Sequence, residues 1–281
     1  MGWMNDFIEY MKNDPVFRGS HHDQLTFSMI YAYSEKFLLS ISHDEVVHMK
    51  GSLYTKMPGD DSQKLANLRL AFGYQAAHPG KKLLFMGQEF GQIREWSEQR
   101  GLDWELLEED GHKKLQEYMK ALLKLYKTCP ALYENDFSSD GFEWINCLEW
   151  EKNLLIFLRK AKKREDTLLI VCNFSNVEYD DYMIGVPYPG KYKEIFNSDA
   201  AVYGGTGVVN PRVKMSKKAE CDERKNSITV KIPPLAISVF SYSRPAEKAK
   251  DNKTAKTRQK KTLVKKDLKK ELEQKFETEE K

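Results

Sequence analysis

The sequence predicts an α/β fold in its first half and an antiparallel β fold in its second. Two observations carry this. Helix-like and strand-like patterns alternate up to about residue 130, and from residue 142 short strand-like runs follow one another with turn chemistry between them. A third observation sets off the carboxyl terminus, where residues 246–281 are rich in lysine and poor in aromatic residues.

The elements read as follows. Trp3, Phe7, Ile8 and Met11 share one helical face, and Asn13-Asp14-Pro15 ends that helix. Phe37-Leu38-Leu39-Ser40-Ile41 is a short apolar run of the kind expected of a strand covered on both faces. Residues 62–77 repeat Leu65, Leu68, Phe72 and Gln75-Ala76 at near-helical spacing until His78-Pro79-Gly80 stops them. Lys81-Lys82-Leu83-Leu84-Phe85-Met86-Gly87 is a second buried-strand pattern, and residues 115–126 form a third amphipathic helix ended by Cys129-Pro130. Beyond residue 135 the strand-like runs are 142–150, 154–159, 167–174, 192–196, 227–232 and 236–242. Alternation in Ser227-Ile228-Thr229-Val230-Lys231-Ile232 predicts antiparallel sheets with one solvated face.

The domain boundaries expected are 1–134, 135–245 and a tail, 246–281. In the tail, Val264, Leu268, Leu272 and Phe276 recur every four residues, so a marginal helix competes with disorder. Lysines lead and glutamates trail, the wrong order for the helix dipole, and disorder is the expectation. Thirteen of the 45 Lys and Arg and eight of the 42 Asp and Glu fall in this tail, leaving 32 against 34 elsewhere, a net of −2. A slightly acidic body gives no reason to expect nucleic acid or an anionic membrane as partner.

Four scattered cysteines, Cys129, Cys147, Cys172 and Cys221, make no C-x-x-C pair and suit a reduced, cytoplasmic setting. No apolar run approaches the roughly 18 residues of a membrane span, and the start of the chain lacks a signal pattern.

The first strand pattern runs straight into Ser42-His43-Asp44-Glu45. Polar side chains at the carboxyl end of a parallel strand stand where α/β folds bind ligands. His43-Asp44-Glu45-Val46-Val47-His48 also invites a zinc-hydrolase reading, which wants histidines four apart on a helix. Here they are five apart, which on a helix turns the second about 140° from the first, and no metal or other cofactor is expected. His21-His22-Asp23 reads as a polar loop wall, since adjacent side chains diverge too far for easy shared ligation. No phosphate-binding glycine motif occupies a strand-to-helix position.

The second strand pattern ends in Gly87-Gln88-Glu89-Phe90-Gly91-Gln92, followed by Glu95-Trp96 and Leu102-Asp103-Trp104. A carboxylate among small residues with two tryptophans nearby suits stacking and hydrogen bonding of sugar rings. The same tryptophans could pack beneath a long loop, and the residues alone leave both readings open.

Gly2-Trp3-Met4-Asn5-Asp6, His21-His22-Asp23-Gln24-Leu25-Thr26-Phe27-Ser28, Ser42-His43-Asp44-Glu45-Val46-Val47-His48 and Lys50-Gly51-Ser52-Leu53 together resemble the glycogen (1,4-α-glucan) branching enzymes. Lys56-Met57-Pro58-Gly59-Asp60, Ala66-Asn67-Leu68-Arg69-Leu70, residues 78–87 and Leu102-Asp103-Trp104 extend the likeness in order, up to about Pro245. The resemblance implies the α-amylase superfamily layout: the last two strands and helices of a (β/α)8 barrel in 1–134, then a carboxyl-terminal β-sandwich in 135–245.

It also implies a retaining glycosyl transfer, in which an α-1,4-glucan chain is cut and passed to a glucose O6 of glycogen or amylose. That chemistry needs a nucleophile and an acid/base about 5 Å apart. Neither family motif is present in this sequence, so this chain alone is expected to be inactive and poorly soluble, with the missing amino-terminal part as its partner. By the same resemblance Asp44 is the third, transition-state-stabilising carboxylate and His43 binds a sugar hydroxyl, while Glu45, His48, Glu89, Trp96 and Trp104 are candidates for substrate binding. Met49 departs from the family, which usually has Gly there, and Gly101 stands where Ser is common. A different class of function, a non-catalytic glucan-binding β-sandwich, is the alternative.

Overall fold

A computed structural model of the chain describes residues 2–245. Helix α1 (Gly2–Lys12) opens it and is followed by two single-turn helices, α2 (Asp23–Thr26) and α3 (Ser28–Tyr31). Strand β1 (Leu38–Ser40), the short α4 (Leu53–Lys56), α5 (Asp61–Ala77), β2 (Lys81–Leu83) and α6 (Asp110–Thr128) complete the first half. Strands β1 and β2 pair in parallel, Leu38 with Lys81 through Ser40 with Leu83, with α5 as the crossover helix. The sequence pattern thus finds α1, β1, α5, β2 and α6, but not α4 or the turns of helix between residues 18 and 31, which are too short to show a period.

Helix α5 starts with a capping box. The Asp60 carboxylate accepts from the Gln63 N–H at 2.9 Å, and the Gln63 side chain accepts from the Asp60 N–H at 3.0 Å. His78-Pro79 closes its other end, because proline disfavours a helical residue before it. The helix is buried almost all round, since it lies between the parallel pair and the large antiparallel sheet. On the first side Gln75 Nε2 donates to the carbonyls of Leu39 (3.0 Å) and Leu83 (3.2 Å), tying helix to both strands. On the other, Gly73 faces Ile237 and the Tyr118 hydroxyl so closely that a Cβ there would collide with both.

The second half adds β3 (Phe142–Asn146), β4 (Leu154–Arg159), β5 (Leu168–Asn173), β6 (Tyr179–Val186), β7 (Lys191–Asn197), β8 (Lys214–Met215), β9 (Asn226–Ile232) and β10 (Ala236–Ser243). They form a six-stranded sheet ordered β3-β4-β5-β10-β7-β8 and a two-stranded sheet β6-β9, all antiparallel. Between the sheets lie Ile156, Leu158, Val171, Ile184, Val230 and Phe240. The far face of the large sheet, with Leu155, Phe157, Ile170, Cys172, Ile237 and Val239, shares a second core with Phe7, Phe72, Tyr74 and Tyr118 of the helices. The expectation of one solvated face is therefore corrected for β4, β5 and most of β10, whose continuous apolar runs are covered on both sides; β9 keeps its alternation.

Two buried arginines stitch the helices to the sheet. Arg18 donates to the carbonyls of Met11, Asn13 and Phe174 and to Asn67 Oδ1, at 2.8–3.1 Å, with no carboxylate among these partners. Its burial pulls the guanidinium pKa down to about 10. Arg159 donates to Ala77 O (2.6 Å) and Asp136 Oδ1 (2.7 Å), and Lys81 reaches Asp136 Oδ2 at 2.9 Å. Burial pushes the Asp136 carboxyl up, but the Lys82 and Arg159 charges and the hydrogen bonds from Lys81 and Arg159 outweigh it and hold the group low.

Up to Arg244 the chain forms one compact unit. The disorder expected of 246–281 lies outside the described residues. Among the described residues no helix is long and apolar enough to cross a membrane.

Strands β1 and β2 also correct an expectation. Both patterns predict strands covered on two faces, yet Leu38 is 52% and Leu83 36% exposed. The cause is the face they share: by the register of the pair Leu38 and Leu83 lie on the same side of it, opposite Leu39, and only the side of Leu39 is buried against the helices.

Candidate functional site

The site lies at the carboxyl ends of the parallel pair. After β1, the fully buried Ile41 leads into a turn of 3-10 helix, His43–Glu45, which Val46 closes by donating from its N–H to the His43 carbonyl at 2.9 Å. Gln88, from the loop after β2, donates to the Ile41 carbonyl at 3.3 Å and keeps the two strand ends together.

Within the turn, Ser42 Oγ donates to Asp44 Oδ2 at 3.2 Å, and His43 Nε2 stands 3.1 Å from Asp44 Oδ1. The two side chains are 56% and 51% exposed, so both reach solvent while lying side by side. Lys50 Nζ donates to the Asp44 carbonyl at 2.7 Å and lies 3.5 Å from Glu45 Oε1. His43, Asp44 and Glu45 are thus gathered in one turn.

The chain then bends sharply. His48 (φ 59°), Met49 (φ 65°) and Gly51 (φ 74°) all take the left-handed conformation, which costs a residue with a side chain about 1–2 kcal/mol. His48 is exposed and lies on no helix, since none follows the turn at His43–Glu45 until Leu53. Among the described residues no group of three or more His, Cys, Asp or Glu is placed to hold a metal ion.

After β2, Gly87 (φ 89°) and Gly91 (φ 72°) bracket a 3-10 turn, Gln88–Phe90, at backbone angles that favour glycine. Glu89 sits in it half-buried, its Oε2 accepting from the Gly87 N–H at 2.8 Å. Trp96 joins the first loop by donating from its backbone to Val46 O at 3.0 Å. Its ring meets Phe85 edge-on at 5.3 Å, and Phe85 lies 6.0 Å from the His43 ring. Trp96 thus packs between the two loops, half-buried against the core.

Trp104 is placed by an ion pair: Arg94 Nε lies 2.9 Å from both oxygens of buried Asp103. Hydrogen bonding to Arg94 holds the Asp103 carboxyl below its usual range. The Trp104 ring rests on Phe90 at 5.0 Å and stays 54% exposed. Glu89 and Trp104 therefore border the site on the second loop, and their contacts run to that loop rather than to Asp44.

Sequence reasoning passes over Glu95, although it picks out its neighbour Trp96. Glu95 Oε1 accepts from the N–H groups of Lys50 (2.8 Å) and Gly51 (3.3 Å). A contact spanning 45 positions leaves no local signal. His22 is buried, with Nε2 2.9 Å from the Cys147 carbonyl, and burial lowers its pKa; His21 beside it is partly exposed.

Comparison with known proteins shows what this chain is similar to. A profile described as the alpha amylase C-terminal all-beta domain matches residues 144–243. The 1,4-alpha-glucan branching enzyme of Aquifex aeolicus is 52% identical over 242 residues, which cover 86% of this chain and 38% of that enzyme. The enzyme of the same name from Oceanobacillus iheyensis is 50% identical over 240 residues, 85% of this chain and 38% of the relative. The chain thus spans about two-fifths of the curated relatives it matches. In fold it is similar to an alpha-amylase from Geobacillus thermoleovorans solved with acarbose, with a TM-score of 0.55 at 11% identity over 87% of this chain and 47% of the other. Over most of its length the chain is thus about half identical to part of the 1,4-alpha-glucan branching enzymes, and its residues 144–243 match the alpha amylase C-terminal all-beta domain.

Proposed function

We propose that this chain forms the carboxyl-terminal portion of an enzyme that cuts an α-1,4-glucan chain and transfers it to a glucose O6, forming the α-1,6 branches of glycogen. Residues 1–134 supply the last two strands of a (β/α)8 barrel and residues 135–245 its β-sandwich. The observation that carries the reading is Ser42-His43-Asp44-Glu45 at the mouth of a parallel strand, in a chain about half identical to enzymes of that name.

In this reading the Asp44 carboxylate, oriented by Ser42 and His43, faces the sugar whose ring gains positive charge as the glycosidic bond breaks. His43 bonds a hydroxyl of the same sugar. Glu45, His48, Glu89, Trp96 and Trp104 border the glucan path, where the half-exposed indole of Trp104 offers a face for stacking. The nucleophile and acid/base come from residues outside this sequence, so the partner is the remaining part of the enzyme and the setting is cytoplasmic, in keeping with four free cysteines.

The test joins this chain to the amino-terminal part of the Aquifex aeolicus enzyme and follows the iodine colour of amylose. The joined protein should remove the blue complex and this chain alone should not, and Asp44→Asn should slow the joined protein by about 10²–10³-fold. Branching by the chain alone, or an Asp44→Asn protein of undiminished rate, would overturn the reading.

A further inference from the structure

Among the hydrogen-bonded groups at the site, the Glu95 carboxylate has no role in the chemistry above, yet it bonds the most strained backbone of the region. The turn from His48 to Gly51 holds three residues at positive φ, two of them with side chains, and Met49 at its tip is 96% exposed. Such a turn persists only where its surroundings over-determine it. Packing does not supply that, because His48, Met49 and Lys50 are all exposed.

What holds the turn is polar. One carboxylate oxygen of Glu95 accepts from two successive backbone N–H groups, Lys50 at 2.8 Å and Gly51 at 3.3 Å. The Lys56 ammonium bonds the Lys50 carbonyl from the opposite side. Lys50, fixed at both its N–H and its carbonyl, extends its own ammonium to the Asp44 carbonyl (2.7 Å) and towards Glu45. Glu95 is itself anchored, since its carbonyl accepts from Arg100 at 2.9 Å and the next residue, Trp96, bonds Val46.

We propose that Glu95 is a positioning residue: its carboxylate holds the left-handed turn at 48–51 closed, and through Lys50 this fixes the peptide of Asp44 at the mouth of β1. The consequence for the reaction rests on the role proposed above for Asp44; the latch itself does not. Met49 gives the device its reason, because a side chain at φ 65° makes the turn costly where glycine would be at ease. In this chain the turn depends on its latch.

The experiment is amide hydrogen exchange on the full chain, which needs no catalysis. Glu95→Ala should speed exchange at residues 43–51 at least tenfold, with α5 and β5 unchanged. Glu95→Gln, which keeps an acceptor oxygen, should show a smaller rise, and adding Met49→Gly to Glu95→Ala should restore much of the protection. Unchanged exchange at 43–51 in Glu95→Ala, or a uniform rise along the chain that Met49→Gly fails to reverse, overturns the proposal. In the joined protein, Glu95→Ala should lower kcat with KM changed less than twofold. If Asp44→Asn leaves that protein fully active while the exchange result holds, the reading of Asp44 fails and the latch stands.

Discussion

Strands β5 and β1 are written alike and end differently. Leu168-Leu169-Ile170-Val171-Cys172 is covered on both faces, by the second sheet and by the helices, and Ile170 is fully buried. Phe37-Leu38-Leu39-Ser40-Ile41 is nearly as apolar, with Ser40 its one polar residue, but only one face of its strand is covered, and Leu38 on the other is half exposed. An apolar run records the burial for which a segment is suited, and the number of its faces that other elements cover decides how much of it is realised.

The contrast can be broken in three ways, taken from the largest effect to the smallest. Ile170→Lys places an unpaired charge in the core shared by sheet and helices, and should cost more than about 4 kcal/mol, seen as loss of the cooperative unfolding transition. If the chain keeps its midpoint in urea, the two-sided burial of β5 is wrong.

The second concerns His78, where α5 ends. Its ring is buried between Ser28 Oγ (2.9 Å from Nε2) and the Pro79 carbonyl (2.8 Å from Nδ1), and burial lowers its pKa to about 3. The unfolded chain takes up this proton near pH 6.5 and the folded chain only near 3, so the unfolded state binds more protons in between. Stability should therefore fall as pH drops from 6.5 towards 3, by about 2–3 kcal/mol at pH 4.5 from this residue. A denaturation midpoint as acid-sensitive in His78→Gln as in the parent would remove His78 from the account.

The third is Leu38→Lys, on the open strand. It should change stability by less than about 0.5 kcal/mol and reduce self-association in light scattering, since a charge at an exposed strand edge discourages pairing. A large destabilisation would mean that the open edge is already covered.

What the sequence shows of this fold follows from the same physics. Helices α1, α5 and α6 and strands β4, β5, β9 and β10 are legible because a steady period or an unbroken apolar run marks each. Strand β6 is not, because Asp180 and Asp181 interrupt it and its first half is bent where the register slips between Tyr179 and Tyr182. The site divides similarly. Ser42-His43-Asp44-Glu45 is contiguous and can be read at once, whereas Glu95 matters only through amides that the fold brings from 44 and 45 positions away. The exposure of Leu38 and Leu83 is hidden for a third reason: a pattern says nothing about whether another element covers the face on which a side chain lies.

Arg18 carries a last implication. Because this one guanidinium bonds the end of α1, the middle of α5 and the carbonyl just beyond β5, the antiparallel sheets and the helices before them are fastened as one body. The sandwich is therefore not a portable cassette. A polypeptide cut near residue 135 would turn Ile170, Ile237 and Val239 into a greasy outer wall. Any shuffling of this β region between proteins would have to carry α1 and α5 with it.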